Sequence, residues 1–274
     1  MKLGALDFHV VDEGKGPVVL LLHGFPDSSH LWRHQIPALV EAGYRVVAPD
    51  LRGFGESSRP VGVEHYAIPT LVNDVAELLD ALAIEKAHVV GHDWGAALAW
   101  AVAAILPQRT RSLTAISVGH PGVFSRLPIE QRERSWYMLL FQFEGVAETL
   151  LSRHDWAFMR EWMRNQGDVE YAIAELSRPG ALTSALSWYR ANVPPAAQLI
   201  ETPLMPPVSV PTMGVWSDGD VFLIEEGMVR SRAMVQGAPF RYERVEGAGH
   251  WVPLDVPEKL NALLLDFFKT LPPS

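Results

Sequence analysis

The chain has 274 residues, with 23 Lys plus Arg against 32 Asp plus Glu, no Cys, and 48% hydrophobic against 20% charged residues. At ~150 residues per domain this length allows one large domain or two small ones, with ample chain for a packed core. The net charge of −9, without any basic run, lacks the positive field that phosphate-backbone binding requires and disfavours nucleic-acid partners, while the absence of Cys excludes disulfides, Fe–S clusters and thiolate zinc sites.

At the N-terminus Asp7 arrives before an apolar run can form, so no signal peptide is read and a soluble, cytoplasmic protein is expected. Residues 18–23 (VVLLLH), 45–49 (RVVAP) and 87–91 (AHVVG) are short apolar runs bounded by turn residues and are predicted to be buried strands. Between them Leu31, Trp32, Ile36, Leu39 and Val40, and then Leu71, Val72, Val75, Leu78, Leu79 and Leu82, recur near the helical period. Strands that are apolar throughout, rather than alternating, suit a parallel sheet covered by helices on both faces, an α/β arrangement. A helix is predicted over 94–106. Its uncharged stretch 96–106 has eleven residues, against the ~20 of a spanning helix, so no membrane span is expected. A strand at 112–118 follows, then a long gap, strands at 211–216 and 240–245, and a closing helix at 257–269. The gap, 122–207, is rich in Trp, Tyr, Met, Arg and Glu at helical spacing and reads as a helical insertion into a core made of 1–121 and 208–274. Its end is punctuated by Pro194-Pro195, Pro203 and Pro206-Pro207, which cannot continue a helix.

Four segments carry chemistry. GHDWG at 91–95 lies between a predicted strand and a predicted helix, the context of a nucleophile elbow, G-x-Nuc-x-G, whose flanking glycines make room for a strained turn. The centre is Asp93, not Ser. A carboxylate is ionised above pH ~4, needs no base to become a nucleophile and attacks sp³ carbon to give an alkyl ester, and the helix N-terminus behind it favours the anion. The plainer reading is an N-capping Asp. HGFP at 23–26 follows a strand at the same end of the sheet, where the N–H groups of Phe25 and Trp94 are candidates for an oxyanion hole; alternatively His23 is only a satisfied strand-end histidine. EGAGHW at 246–251 places His250 in a glycine-flanked loop as a candidate general base. WSDGD at 216–220 offers Asp218 and Asp220, one to orient His250 and the other to serve the turn. The chain order nucleophile, acid, His is that of the α/β-hydrolase triad.

With HGFP, the run 31–37 (LWRHQIP), 50–55 (DLRGFG), GHDWG and the terminal GHW, the chain resembles the epoxide hydrolase and haloalkane dehalogenase branch of the α/β-hydrolases, and is most similar to soluble epoxide hydrolases. The resemblance implies a mostly parallel sheet with helices on both faces, a helical lid at 122–207, a cis Phe25-Pro26 peptide, and Asp220 as the triad acid. It also implies two lid tyrosines that hold the epoxide oxygen. Tyr137, before Phe141-Gln142 and 145–148 (GVAE), and Tyr189, in 187–190 (SWYR), stand in similar contexts; Tyr171 does not and reads as a packing residue. Met138 departs from the polar residue of well-studied relatives, which bears on the substrate side of the pocket.

The implied activity is hydrolysis of an epoxide to a vicinal diol through an Asp93 ester, with no cofactor or metal, a small-molecule epoxide and water as partners, and a monomer or homodimer as the working form. A haloalkane or fluoroacetate dehalogenase would use the same Asp-His-Asp set, with Trp94 as one halide donor. Against it, Phe25 stands where halide-binding relatives often place Asn, and such lids need no pair of tyrosines. A ligand-binding protein on a degenerate hydrolase fold is the non-enzyme alternative, which an intact Asp93, Asp220 and His250 oppose. His30 and His34 fall at i, i+4 but lack the Glu of H-E-x-x-H, and there is no nucleotide-binding glycine motif and no G-x-S-x-G.

Overall fold

The computed structural model describes residues 1–124, 126–164, 166–196 and 205–271. A short hairpin, β1 (Lys2–Leu3) and β2 (Leu6–Asp7), precedes a seven-stranded sheet built from β3 (Val10–Gly14), β4 (Val18–Leu22), β5 (Arg45–Pro49), β6 (Ala87–His92), β7 (Thr110–Ile116), β8 (Thr212–Ser217) and β9 (Phe240–Val245) in the order β3-β5-β4-β6-β7-β8-β9. Within this sheet only β3 runs antiparallel, against β5, and the other pairings are parallel. All residues of β6 and β8 are buried. Since successive side chains point to opposite faces, both faces of the sheet are covered, which is why these strands read as unbroken apolar runs.

The helices fill in between. The periodic segment after β4 divides into a 3₁₀ turn, Ser29–Trp32, and α1 (Gln35–Glu41), with Pro37 in the first turn, where its missing N–H is not needed. Helix α2 (Ile68–Ala81) buries Leu71, Val72, Val75, Leu78 and Leu79 along one stripe, and also Asp74, whose carboxylate receives the Arg52 guanidinium. Helix α3 (Trp94–Ile105) is buried from Trp94 to Ala104, as an all-apolar helix must be in a globular chain. Between β7 and β8 lie α4 (Pro121–Phe124), α5 (Ile129–Arg134), α6 (Trp136–Leu140), α7 (Val146–Met163), α8 (Val169–Leu176) and α9 (Ala181–Asn192). Helix α7 is broken at Arg153–Trp156, where three successive residues take left-handed φ. Pro203 lies outside the described residues. Helices α10 (Glu225–Arg230), α11 (Val252–Asp255) and α12 (Pro257–Lys269) complete the core. Among the described residues no helix is long and apolar enough to cross a membrane.

Strand β3 has no counterpart in the sequence reading. Its Asp12, Glu13 and Gly14 are exposed, so as a solvated edge strand it carries no apolar run to find.

The core holds several histidines that burial keeps neutral. Burial lowers His88, His92 and His120 to about 4, and lowers His23 as well. The folded chain therefore binds fewer protons than the unfolded chain between pH ~6.5 and ~4, and stability rises with pH across that window. Asp27, raised to about 7 by burial, and Asp74 and Asp255, also raised by burial, oppose this. Thermal unfolding followed from pH 7 to pH 4.5 is expected to show a progressively falling midpoint; a flat profile would contradict the neutral burial of these rings.

Candidate active site

The residues with chemistry converge at the C-terminal ends of β4, β6, β8 and β9, where loops of a parallel sheet carry the functional groups. Strand β6 ends at His92 and α3 begins at Trp94, leaving Asp93 alone at the corner with φ 52° and ψ −123°. Such a conformation is strained for a residue with a Cβ and persists only where the surroundings enforce it. They do so by closeness. A Cβ on Gly91 would lie 2.1 Å from the Gly95 carbonyl oxygen, and one on Gly95 would lie 2.0 Å from that of Leu22. The corner packs backbone against backbone, and the loop after β4 presses in from the side.

From that loop, which holds the cis Phe25-Pro26 peptide, the Phe25 N–H donates to Asp93 Oδ1 at 2.8 Å. The Trp94 N–H, at the start of α3, supports the same carboxylate. Burial by itself would raise Asp93, but the hydrogen bond and charge of His250, together with the Trp94 N–H, outweigh it and hold the group below the usual carboxylate range. Asp93 is thus an anion aimed into a closed site.

His250 sits between two carboxylates. Its Nδ1 is 2.8 Å from Asp220 Oδ2 and its Nε2 is 3.7 Å from Asp93 Oδ2. The other Asp220 oxygen accepts from the Phe222 and Leu223 N–H groups at 2.8 and 2.9 Å, so the β8 loop locks the acid in place. Asp218 points elsewhere: Oδ1 accepts from the Gly247 N–H at 2.9 Å, and Oδ2 lies 3.9 Å from Arg244, closing the neighbouring loop. Geometry therefore separates the two acids that the sequence leaves open. Burial disfavours the imidazolium, yet Asp220 first and Asp93 second overcome it and lift His250 to about 10. At neutral pH the cluster is an imidazolium between two carboxylates.

Other contacts orient His250 that sequence reasoning missed. Its N–H donates to Gln166 Oε1 at 3.0 Å, and its carbonyl accepts from Ser117 Oγ at 3.1 Å and pairs with His92 Nε2 at 2.9 Å. None of the three carries a local motif of its own role; His92 lies inside GHDWG but reads there as a flank.

Tyr137 on α6 and Tyr189 on α9 are buried, with ring centroids 6.0 Å apart. The Tyr189 ring stands edge-on to Trp94 at 5.0 Å and to Phe25 at 5.6 Å, next to the corner that carries Asp93. Burial, reinforced by the Asp93 charge, raises both phenols well above 10, so both hold their protons. Tyr171 is remote from this group: its hydroxyl bonds Ser28 Oγ at 2.8 Å and its ring stacks on His30 at 4.2 Å. Phe25, Phe141, Trp162 and Phe222 pack around the tyrosines, and Trp162 and Phe222, 5.0 Å apart, also line a cavity of 490 Å³ together with Trp136 and Phe158.

The family model described as alpha/beta hydrolase fold matches residues 17–257. The AB hydrolase superfamily protein YfhM of Bacillus subtilis is 34% identical, covering 96% of this chain and 95% of that protein. Epoxide hydrolase A of Mycobacterium tuberculosis is 33% identical, covering 96% of this chain and 94% of that protein. Among solved structures, a Bacillus megaterium epoxide hydrolase in complex with an inhibitor superposes with a TM-score of 0.88 at 28% identity, covering 98% of this chain and 99% of that one.

The two loop acids can be told apart in solution. Asp220→Asn is expected to lower the His250 pKa by about 1–3 units, while Asp218→Asn leaves it unchanged. Titration of the His250 ring by NMR checks this, and the reverse ranking would transfer the pairing to Asp218.

Proposed function

The chain belongs to the epoxide hydrolase branch of the α/β-hydrolase family, and on that premise we propose that it converts an epoxide and water to a vicinal diol through an ester on Asp93. The observation that carries the reading is the pair of protonated phenols beside a buried carboxylate that needs no base. Opening an epoxide releases an alkoxide, which requires a proton donor, whereas a departing halide is a weak base and requires none. Tyr137 and Tyr189 supply that donor from the insertion 122–207, which is in this reading the lid.

In the first step a free oxygen of Asp93 attacks a ring carbon as the ring C–O bond breaks, and the alkoxide takes a proton from a lid phenol. Forming the ester removes the Asp93 charge. One of the two carboxylates that lift His250 is then gone, so its pKa falls, and the proton that the ring gives up restores the lid phenoxide left by the first step, which leaves His250 neutral and able to act as a base. In the second step His250, oriented by Asp220, takes a proton from water as the water oxygen attacks the Asp93 carboxyl carbon. The oxyanion is held by the Phe25 and Trp94 N–H groups; its collapse breaks the ester C–O bond, the departing alkoxide takes a proton from His250 to give the diol, and the new Asp93 acid returns a proton to the ring. The same histidine is thus charged when the nucleophile is free and basic when it is esterified.

His250→Gln separates the two steps. The variant is expected to accumulate a stable ester, seen by mass spectrometry as the added mass of an epoxide such as styrene oxide on the peptide containing Asp93, with diol production lost. Folded variant protein that stays unmodified would contradict the division of labour.

A further inference from the structure

The tyrosines stand on separate helices of the insertion, and besides the edge-on contact of their rings their spacing depends on how the two helices are held. The two helices are fixed differently. Helix α9 is tied to the core, since Trp188 Nε1 donates to the Arg52 carbonyl at 3.0 Å and Asn192 both donates to the Tyr66 carbonyl and accepts from the Ile68 N–H at 2.8 Å. Helix α6 makes no such bond to the sheet among the described residues. Its neighbour α5 reaches the Asp220 loop, through Arg134 to the Asp220 carbonyl at 2.7 Å and Gln131 to the Phe222 carbonyl at 2.8 Å.

The hydrogen bonds that join α6 to α9 come from a reciprocal pair of side chains. Arg190, next to Tyr189, sends Nε to the Phe141 carbonyl at the end of α6 at 2.9 Å, and both terminal nitrogens to Glu148 on α7 at 2.8 and 3.0 Å. Gln142, just past α6, sends Nε2 back to the Tyr189 carbonyl at 3.3 Å while also holding the Met138 carbonyl, beside Tyr137, at 3.0 Å. The Arg190 and Glu148 side chains are 6% and 17% exposed. A guanidinium this buried, bidentate to a carboxylate and bonded to a carbonyl, has one geometry open to it. Glu148 reports the pairing: burial would raise it, but the Arg190 hydrogen bond holds it below its ordinary value.

We propose that Arg190 and Gln142 are positioning residues that set the distance between the Tyr137 and Tyr189 hydroxyls, so that both meet one departing oxygen. The proposal rests on the reading that these phenols protonate an epoxide oxygen. Because the donors act only when the ring opens, the clamp governs formation of the Asp93 ester and not its hydrolysis, which belongs to His250, Asp220 and the oxyanion N–H groups. A displacement of 1 Å at such a group can cost ~10²-fold in rate.

The test follows both steps in one enzyme under single-turnover conditions, by stopped-flow and quenched-flow mixing with styrene oxide. Arg190→Met and Gln142→Met are expected to slow ester formation about 10- to 100-fold while ester hydrolysis stays within about two-fold of wild type, and Arg190→Lys is expected to recover part of the loss because it keeps one charged donor to Glu148. Gln142→Met, which removes neutral hydrogen bonds without unpairing a buried charge, carries the test if Arg190→Met fails to fold. Unchanged ester formation in the folded variants, or equal slowing of both steps, overturns the clamp and leaves the proposed function standing. A wild-type chain that forms neither ester nor diol from styrene oxide or a fatty-acid epoxide overturns the proposed function, and the clamp with it.

Discussion

One imidazole shared by two carboxylates is the constraint on which the site depends. His250 is lifted to about 10 only because Asp220 and Asp93 together outweigh its burial. Each carboxylate has its own backbone donors: Phe222 and Leu223 N–H for Asp220, Phe25 N–H for Asp93. The consequence is a balance that chemistry itself shifts. In the proposed mechanism, neutralising Asp93 by esterification withdraws half of the negative charge around the ring, so the histidine changes from cation to base at the moment a base is required. A buried charge cluster of this kind is costly when incomplete, which accounts for the density of support around it, from Gln166 and Ser117 to the Asp93 corner.

The apolar wall has an electrostatic part in this. Phe25, Phe141, Trp162 and Phe222 exclude water from Tyr137 and Tyr189, and burial is the first cause that keeps both phenols protonated. The same dry surroundings strengthen each hydrogen bond aimed at the reacting groups. Phe222 packs on His250 on one side and, with Trp162, lines the 490 Å³ cavity on the other.

Legibility in the sequence followed locality. Strands β4, β5, β6 and β8 were readable because they are covered on both faces and so carry unbroken apolar runs, whereas the solvated edge strand β3 was not. Asp93, Phe25, Trp94, Asp220 and His250 each sit in a strand-turn signature a few residues long, so their proximity could be anticipated from the chain order alone. Gln166 lies 84 residues from its His250 partner, Ser117 lies 133 away, and Glu148 lies 42 from Arg190. Nothing local marks these residues, because their role exists only once distant segments meet, the insertion over the sheet for Gln166 and Glu148 and the ends of β7 and β9 for Ser117. The choice between Asp218 and Asp220 was of the same type: both are ordinary turn aspartates until the direction of the side chain is known.

The central claim is that the water oxygen enters at the Asp93 carboxyl carbon and not at the substrate carbon. A single turnover with enzyme in excess over epoxide, carried out in H₂¹⁸O, tests it directly by mass spectrometry of both the diol and the peptide containing Asp93. The account predicts ¹⁸O in the Asp93 carboxylate and an unlabelled diol, because the diol takes an old carboxylate oxygen. Label appearing in the diol on the first turnover, with Asp93 unlabelled, would contradict it.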